Sequence, residues 1–560
     1  MRCVILSGGS GNDSLMRGLV ELYPQIDIKV IVNAYDDGKS TGVCRSITKC
    51  LGVSDIRKNH YRMYDIKSDK KDTNILAFYN NRYDLDMDDK VAYVNTLLTD
   101  FGLPFLCGYS NRFFESIPKD KSFDFRSFNI ANIIYSQMYR EHGYEYTNSF
   151  FCELLGIDDF VILNSYDNVA IGAKTTNGEL KCEAEIVDYC NSQKPILGVT
   201  YTGWDCNINR GAIDTIENAD LIILSSGTFW SSLYPTLDYG DFYTHINASK
   251  AKKMWVMNNE EDKDSFGISS NDFIKVVETL GLNLDDFIII QNEDACLSLK
   301  QANEKYNIIR NHLGNNRGRH CPVKLAREIL SKYYSIDKHY DNIFIDFDDT
   351  LWSRDSNSII DDYIVSKNNI ELLSKFHNTQ IVSGNSYDSI KNLLGTMDIT
   401  IWADANSIAY RKGRICDIID DNVFSTSEVA AIKEYIGDIV VNLGAQLSLN
   451  NRFYTTCVKV KPIWVKSMRN DLCDRINSFL SVHVPNAIAK CTGRTTIDIL
   501  KHCNNKSQIL NKVMPVGSTL YIGDETVFGN DVEIANRCNH HISVSDVYET
   551  NLVLRLLLNE

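Results

Sequence analysis

Two aspartates that directly follow an apolar run could carry out chemistry on phosphate esters. Asp346 follows the run Ile343–Ile345, and Asp348 comes two positions later. If the run is a strand, the Asp346 carboxylate and the Phe347 carbonyl can both face a cation at its end. One carboxylate can then attack phosphorus while the other handles the leaving-group proton. The alternative interpretation is a polar strand end without chemistry.

A hydroxyl, a lysine and two further acids follow in order along the chain. Ser383 ends the apolar stretch QIVS, Lys506 opens a helical stretch, Asp524 ends the stretch LYIGD, and Asp531 follows in the triplet GND. A hydroxyl and an ammonium can both hold a phosphate, although either one alone is typical of an ordinary surface. The four pieces together, in this order, indicate phosphoryl transfer.

This ordered set resembles the haloacid dehalogenase-like superfamily over about residues 340–560. The resemblance implies that Asp346 is a nucleophile that forms an aspartyl-phosphate and that Asp348 is the general acid/base. It also implies that Ser383 and Lys506 bind the phosphoryl group. Hard oxygen ligands beside a phosphate suit Mg²⁺. The expected ligands are Asp346, the Phe347 carbonyl, Asp348, Asp524 and Asp531, the last as a ligand or as a group that supports the others.

A long insertion separates the hydroxyl from the lysine, and in this superfamily an insertion at that point is a class-two cap. The return segment GRTTIDI at 493–499 resembles that of sugar phosphatases and phosphomannomutases. The expected substrate is therefore a phosphorylated sugar or small metabolite, with a phosphomutase as the alternative to a phosphatase. Basic cap residues could recognise an anionic substrate or simply solvate the cap surface: Lys459, Lys461, Lys466, Arg469 and Arg475.

A glycine-rich loop near the N-terminus could bind a phosphate. Gly8, Gly9 and Gly11 follow a short apolar run and precede a helical pattern. Glycines let the backbone approach an anion at a helix N-terminus, where free N–H groups favour phosphate. The dinucleotide fingerprint is incomplete because Ser14 occupies the position of its third glycine. An acidic pair, Asp36 and Asp37, follows the next apolar run, and Asn132, Gly227 and Thr228 come later.

The order of these segments resembles the 2-phospho-L-lactate transferase family, which includes nucleotide-sugar-binding gluconeogenesis factors, over about residues 1–335. The resemblance implies a Rossmann-like core that binds a GDP- or UDP-linked nucleotide diphosphate conjugate. In transferase members an acceptor hydroxyl attacks the distal phosphorus, with Mg²⁺ assisting. Gly8, Gly9, Gly11, Asn132, Gly227 and Thr228 match nucleotide-contacting positions, and Asp36 and Asp37 match the acidic pair that binds metal or deprotonates the acceptor.

Two observations leave the activity of this half open. At least one residue of the acidic pair could instead close an Asx-type turn. The family's usual Gly-Pro-Gly-Ser appears as Ser225-Ser226-Gly227-Thr228, and Lys58 stands where the family has asparagine. The alternative to a transferase is a regulatory module that binds a nucleotide sugar without turnover.

Apolar runs that alternate with helical patterns must position these groups. Runs such as Val4–Leu6, Ile28–Val32 and Leu221–Leu224 predict buried parallel strands, and the pattern restarts at Asn342–Phe347. The expected fold class is α/β, with two Rossmann-like parallel-sheet domains in tandem, the second carrying an inserted α+β cap. The expected domains are a nucleotide-conjugate-binding domain at 1–335, a phosphatase core at 341–390 and 495–560, and a cap at 391–494.

Composition excludes several other classes of protein. Lys and Arg number 58 and Asp and Glu 73, a net charge of −15, which argues against a nucleic-acid-binding protein. No run of 18 apolar residues is present, so we expect no membrane span. The 16 cysteines form no CxxC pair and no leader sequence is evident, which indicates a cytoplasmic protein. Family resemblance adds a homodimer as a possible assembly. The leading hypothesis is a bifunctional enzyme, a transferase followed by a phosphatase.

Overall fold

The computed structural model describes most of the chain, in two compact units. The described residues are 1–9, 11–68, 70–202, 207–260, 262, 264–295, 305–315, 318–336, 339–394, 397–449, 456–460, 465–492, 496–527 and 529–559. Unit 1 is Met1–Tyr333 and unit 2 is Tyr334–Glu560. Their boundary lies beside the segment 335–341, which the sequence predicts as a linker and of which residues 337 and 338 lie outside the described residues.

Unit 1 is built on a seven-stranded parallel sheet in the order β10-β9-β8-β7-β1-β2-β3. A separate antiparallel sheet has the order β5-β4-β6. The strands are β1 Arg2–Leu6, β2 Asp27–Val32, β3 Val161–Leu163, β4 Ala170–Thr175, β5 Gly178–Leu180, β6 Gly198–Thr202, β7 Leu221–Leu224, β8 Lys252–Val256, β9 Phe287–Asn292 and β10 Asn307–Asn311.

Helices connect these strands. They are α1 Asp13–Leu22, α2 Lys39–Thr48, α3 Ser54–Lys67, α4 Thr73–Asn80, α5 Lys90–Asp100, α6 Cys107–Glu115, α7 Ile130–His142, α8 Tyr144–Leu155, α9 Glu183–Asn191, α10 Arg210–Glu217, α11 Tyr234–Asp238, α12 Tyr243–Ala248, α13 Ser270–Leu280 and α14 Pro322–Tyr333. Single turns lie at Pro104–Leu106, Phe229–Leu233, Tyr239–Asp241 and Leu284–Asp286. The central strands are continuously apolar because a parallel sheet is buried on both faces.

Unit 2 contains a seven-stranded sheet in the order β15-β14-β13-β12-β11-β20-β21 and a four-stranded antiparallel sheet in the order β16-β17-β19-β18. The strands are β11 Asn342–Asp346, β12 Thr379–Val382, β13 Thr400–Ala403, β14 Ile408–Arg411, β15 Arg414–Ile418, β16 Gln446–Leu449, β17 Thr456–Lys459, β18 Ala487–Thr492, β19 Thr496–Lys501, β20 Thr519–Gly523 and β21 His540–Ser543. The helices are α15 Ile360–Leu373, α16 Tyr387–Leu394, α17 Thr426–Asn442, α18 Lys466–His483, α19 Gln508–Val513, α20 Val532–Arg537 and α21 Val547–Leu557.

The α/β fold class is confirmed, and both ends of the predicted cap need correction. The sequence predicts the cap at 391–494, but β13–β15 lie inside that range and extend the core sheet: β13 pairs parallel to β12, and β14 and β15 follow by antiparallel pairing. At the other end, β19 pairs with β17 and β18 in the cap sheet, although 495–501 is predicted as core. Helices α17 and α18 pack their apolar residues against the cap sheet.

Within the described part of the chain, no helix is both long and apolar enough to cross a bilayer.

Candidate functional site

Three carboxylates of unit 2 meet where neighbouring parallel strands end. Asp346 is the last residue of β11, Asp524 directly follows β20, and Asp531 precedes α20. Each offers a carboxylate oxygen that lies within 4.8 Å of the others. The carboxyl ends of parallel strands are where open α/β sheets bind ligands. Asp346 and Asp531 are 185 positions apart in the sequence (531 − 346), and the fold brings them together.

Lys506 is the cation of this cluster. Its Nζ lies 2.5 Å from Asp346 Oδ1 and also contacts Asp531 Oδ1, which accepts a further hydrogen bond of 2.7 Å from the Tyr521 hydroxyl. Although burial opposes the charge, the two carboxylates raise the pKa of Lys506, so it stays protonated. Burial and the charge of Asp531 raise the pKa of Asp346 against the opposing effect of Lys506. Burial also raises the pKa of Asp524 to about 6, with the charges of Asp531 and Glu525 adding to it.

Asp348 lies beside this cluster with a partner of its own. The Asn385 side-chain amide donates to both Asp348 oxygens, at 3.0 and 2.9 Å. Burial raises the pKa of Asp348, partly offset by the charge of Arg354 and by the Asn385 hydrogen bond. Ser383 follows Val382, the residue that pairs with Asp346 in the sheet, so the Asp346 carboxylate and the Ser383 hydroxyl sit on neighbouring strand ends.

Two expectations for this site need correction. The Phe347 carbonyl accepts backbone hydrogen bonds from Leu351 and Trp352, at 3.0 and 2.9 Å, so both of its lone pairs are used and it is a poor metal ligand. The Asp348 side chain is outside the group of three carboxylates because it points to Asn385. Asp346 itself is only 6% exposed.

The donor set of the cluster fits a hard divalent cation. Its ligand atoms are carboxylate oxygens, which Mg²⁺ prefers. Asp346 and Asp524 are the best placed to hold an ion, because the Asp531 oxygens already accept from Tyr521, Lys506 and the Glu525 N–H. Asp531 therefore supports the cluster, one of the two roles that the resemblance allowed.

Among the basic cap residues whose side chains the structure describes, Lys459 and the two arginines lie on different sides of the cap sheet, and Lys466 is the first residue of α18. Lys459 alternates along β17 with the buried Val458 and so faces away from the helices that cover the sheet. Arg469 and Arg475 lie on α18, on the helical side. Lys461 lies outside the described residues, as do 493–495 of the predicted return segment.

The glycines of unit 1 come together as predicted from the sequence. A Cβ built on Gly11 would lie 1.7 Å from the Ser226 carbonyl oxygen and 2.5 Å from Gly227 Cα, so only glycine lets the two loops touch. The Asn258 side chain exchanges hydrogen bonds with the Gly227 backbone, at 3.0 and 2.8 Å. Thr228 Oγ1 lies 2.7 Å from Ser232 Oγ.

Asp55 and Lys58 lie beside the glycine loop, and the sequence singled out Lys58 only as a departure from the family pattern and did not single out Asp55. A Cβ on Gly9 would meet Asp55 Oδ1 at 2.3 Å and Lys58 Cδ at 2.7 Å, and one on Gly8 would meet Ser232 Oγ at 2.3 Å. Lys58 Nζ lies 3.1 Å from Asp55 Oδ1. Both residues belong to the stretch SDIRK at the start of α3.

The acidic pair is held by backbone N–H groups. Asp36 Oδ1 accepts the Gly38 N–H at 2.9 Å, which is the Asx-type turn weighed above, and Asp37 Oδ1 accepts the Glu183 N–H at 2.9 Å. Burial and the charge of Asp36 raise the pKa of Glu183. Burial opposes ionisation of Asp36, but Glu183 and Lys58 together hold its pKa below the ordinary value. Burial raises the pKa of Asp37.

Asn132 is a buried link between helices. Its amide donates to Ser40 Oγ at 3.0 Å and to Thr41 Oγ1 at 3.4 Å, and its Oδ1 accepts from Arg57 at 2.8 Å. It is 1% exposed. These bonds use both ends of the amide, so its place in the structure is to join α2 and α3 to α7.

Unit 1 matches the model of a known protein family. The family model of 2-phospho-L-lactate transferase CofD matches residues 3–323. This chain belongs to the CofD family. The match contains the glycine loop, the acidic pair and the Gly227 loop, and it ends before unit 2 begins, so the cluster around Asp346 lies outside the CofD region.

The chain is also similar to several named proteins. The gluconeogenesis factor of Bacillus subtilis is 23% identical over 307 residues, which cover 54% of this chain and 82% of that protein. A solved member of the upf0052 family from Bacillus halodurans is 17% identical, with a TM-score of 0.45, and the match covers 59% of this chain and 99% of that one. For the C-terminal region, the matches include the trehalose-6-phosphate phosphatase C-terminal domain of C. albicans, at 14% identity and a TM-score of 0.32, covering 42% of this chain and 97% of that one.

Proposed function

We propose that unit 2 hydrolyses a phosphomonoester, a sugar or small-metabolite phosphate, through an aspartyl-phosphate. One observation carries the proposal: Asp346, Asp524 and Asp531 converge with Lys506 at the ends of neighbouring parallel strands. A buried carboxylate that contacts an ammonium is placed to meet a phosphoryl group whose charge the ammonium offsets. A purely structural ion pair would need only one of the three acids.

The chain's own residues account for both steps of the proposed reaction. An Asp346 oxygen attacks phosphorus, the ester P–O bond breaks, and Asp348 gives its proton to the leaving oxygen. Water then attacks the aspartyl-phosphate, Asp348 takes its proton back, and the bond to Asp346 breaks to release inorganic phosphate. Ser383 and Lys506 hold the phosphoryl oxygens throughout. Mg²⁺ bound by Asp346 and Asp524 would neutralise charge on the phosphoryl oxygens.

A phosphate-release screen over a panel of phosphorylated metabolites tests this function. The Asp346→Asn variant serves as the blank, because it keeps the shape of the nucleophile and removes its charge. We expect it to lose at least about a thousandfold in turnover. Asp388→Asn, an exposed acid that pairs with Lys391, is the matched control and should retain activity. Near-native turnover by Asp346→Asn would show that the nucleophile is misassigned.

The same screen separates a phosphatase from a phosphomutase. A mutase passes the group of the phosphoenzyme to a sugar, so it forms an isomer and releases no phosphate. Inorganic phosphate release from sugar monophosphates favours the phosphatase, and isomer formation without it favours the mutase.

We infer that unit 1 binds a GDP- or UDP-linked conjugate at the contact between the Gly8–Gly11 loop and the Gly227 loop. The supporting observation is the close approach of Gly11 to the Ser226 carbonyl, which aligns two glycine-containing loops at the ends of β1 and β7. In the transferase form of the proposal, Asp37 deprotonates an acceptor hydroxyl that attacks the distal phosphorus, and a nucleoside monophosphate leaves. Asp36 would help to hold a metal ion.

A regulatory module is the second candidate for unit 1. Both carboxylates of the acidic pair already accept backbone N–H groups, and the matched curated relative is named a gluconeogenesis factor. Calorimetry with GDP- and UDP-conjugates, together with a search for released monophosphate, separates the candidates. Binding with product supports the transferase, and tight binding without product supports the regulatory module.

A further inference from the structure

The loop between β12 and α16 contacts both the acid/base group and the phosphate-binding hydroxyl. Asn385 Nδ2 donates to the two Asp348 oxygens at 3.0 and 2.9 Å. The backbone N–H of Asn385 donates to Ser383 Oγ at 3.1 Å. The two groups that must meet at the substrate's phosphorus are therefore fixed by one residue.

The backbone of this loop is held from the neighbouring strand end. The Asp404 N–H donates to the Asn385 carbonyl at 2.7 Å, and the Ala405 N–H donates to the Gly384 carbonyl at 3.2 Å. Residues 404, 405 and 406 have φ values of 54°, 56° and 62°, the left-handed region in which a residue other than glycine is strained. The Tyr410 hydroxyl donates to Asp404 Oδ2 at 2.6 Å and helps to keep this turn in place.

These backbone bonds hold the loop and leave the Asn385 side chain to bond with another partner. The loop is already attached to Asp404 and Ala405 through its carbonyls, so its path does not depend on the Asn385 amide. The side-chain amide donates instead to Asp348. A carboxylate next to a reacting phosphorus must point one oxygen at the leaving group, and a donor that contacts both of its oxygens fixes that orientation.

We propose that Asn385 is a positioning residue that orients the Asp348 carboxylate toward the leaving-group oxygen. This inference rests on the proposed phosphatase function. In the step concerned, the ester P–O bond breaks, the Asp346–phosphorus bond forms, and the proton of Asp348 moves to the departing oxygen. A misdirected Asp348 delivers that proton poorly. The cost therefore grows with the basicity of the leaving oxygen.

The test compares two aryl esters that differ in their need for the proton. p-Nitrophenyl phosphate releases a stabilised phenolate that needs little protonation, whereas phenyl phosphate releases a more basic one. We expect Asn385→Ala to lower kcat/KM for phenyl phosphate about 10–100-fold more than for p-nitrophenyl phosphate, which is part of the about 100–10,000-fold that general acid catalysis contributes. Ser389→Ala, an exposed hydroxyl on α16, should change neither value.

A double-variant cycle separates positioning from a general loss of structure. Because Asn385 acts through Asp348, adding Asn385→Ala to Asp348→Asn should cause no further loss on phenyl phosphate. Asn385→Asp, which keeps the shape and loses the donor, takes the place of Asn385→Ala if thermal unfolding shows that the alanine variant is not folded.

Equal losses on both esters, or independent losses in the cycle, would overturn the role of Asn385 while the wild type remains an active phosphatase. A wild-type protein that hydrolyses neither ester in the presence of Mg²⁺, nor any phosphorylated metabolite of the panel, would overturn the proposed function itself, and with it this inference.

Discussion

Lys506 is the only ammonium that directly contacts the three-carboxylate cluster among the described residues, and it is 4% exposed. Its contacts with Asp346 and Asp531 are charge-assisted hydrogen bonds in a site from which water is largely excluded. The free energy of the cluster therefore depends on this one cation. In its absence two buried carboxylates face each other without compensation.

We expect Lys506→Met to lower the free energy of unfolding by about 3–5 kcal/mol, the usual cost of leaving a buried charge unpaired. Urea denaturation in the absence of divalent cations measures it. Adding Asp346→Asn should recover part of the loss, because one of the two unpaired carboxylates becomes neutral.

The matched control for this change is Lys512→Met. Lys512 pairs with Asp417 at 3.1 Å on the surface, where an ion pair contributes less than about 1 kcal/mol. An equal loss of stability from both substitutions would show that the buried lysine stabilises the protein no more than a surface lysine does.

The buried His60 should make the free energy of unfolding of unit 1 depend on pH. Its ring nitrogens lie 2.8 Å from the Tyr135 hydroxyl and 2.7 Å from Asn148 Oδ1, and burial lowers its pKa to about 4. The unfolded chain takes up a proton below pH of about 6.5, whereas the folded chain does not until about 4. Stability is therefore complete above the first value and falls as the pH drops toward the second, by about 3 kcal/mol.

Urea unfolding at several pH values measures this dependence, and His60→Gln should flatten it. The flattening will be partial because burial lowers the pKa of His320 in the same unit to about 4 as well. An unchanged slope in His60→Gln would show that His60 titrates normally in the folded protein.

At the residue scale, the sequence predicted that Asp346, Asp524 and Asp531 lie together. It did not predict the partners of the Asp348 side chain and of the Phe347 carbonyl. The order of Asp346, Lys506 and Asp524 sufficed to bring them to one place, because parallel strands end at a common edge. The Phe347 carbonyl was wrong as a ligand because the turn to Trp352 uses it, and such a turn leaves no periodicity in the sequence. Asn385 was missed because a lone asparagine after a strand is usually a turn residue.

At the scale of elements, the apolar runs located the parallel strands, and the antiparallel ones were misassigned. Val4–Leu6 and Leu221–Leu224 fall inside β1 and β7. Strand β6, by contrast, belongs to the small antiparallel sheet and is only half-buried. Strands β13–β15 were placed in the cap because a hairpin extension of a core sheet has the same alternation as a cap hairpin.

At the same scale, we predict that the contact between the two glycine loops of unit 1 requires Gly11. In Gly11→Ala the new methyl group would overlap the Ser226 carbonyl and push the two loops apart, at a cost of about 1–3 kcal/mol. Binding of GDP, measured by calorimetry, should be lost, while hydrolysis of p-nitrophenyl phosphate by unit 2 continues.

Gly198→Ala is the control for the Gly11 loop, because a Cβ there meets nothing within 4 Å. Retention of GDP binding by Gly11→Ala would place the nucleotide elsewhere than at this loop contact.

At the scale of the whole molecule, the main sheet of each unit has a hydrophobic core of its own in the described part of the chain. One core surrounds the sheet of unit 1 and includes Leu6, Leu224 and Trp255, and another lies in unit 2 and includes Phe344, Trp402 and Tyr521. The CofD match stops at residue 323, before the second core begins. We therefore expect each ligand to stabilise its own set of strand ends.

Hydrogen exchange measures this division in the intact chain. Mg²⁺ at about a hundred times its dissociation constant should slow exchange around β11 and β20 by up to about a hundredfold, the factor that ligand linkage allows. Asp524→Asn should abolish this protection and leave unchanged the protection that a nucleotide conjugate gives to the loops after β1 and β7. Gly11→Ala should do the reverse. If Mg²⁺ protected the glycine loops as strongly as β11, or if Asp524→Asn kept the protection of β20, the three carboxylates would not be the metal site of this protein.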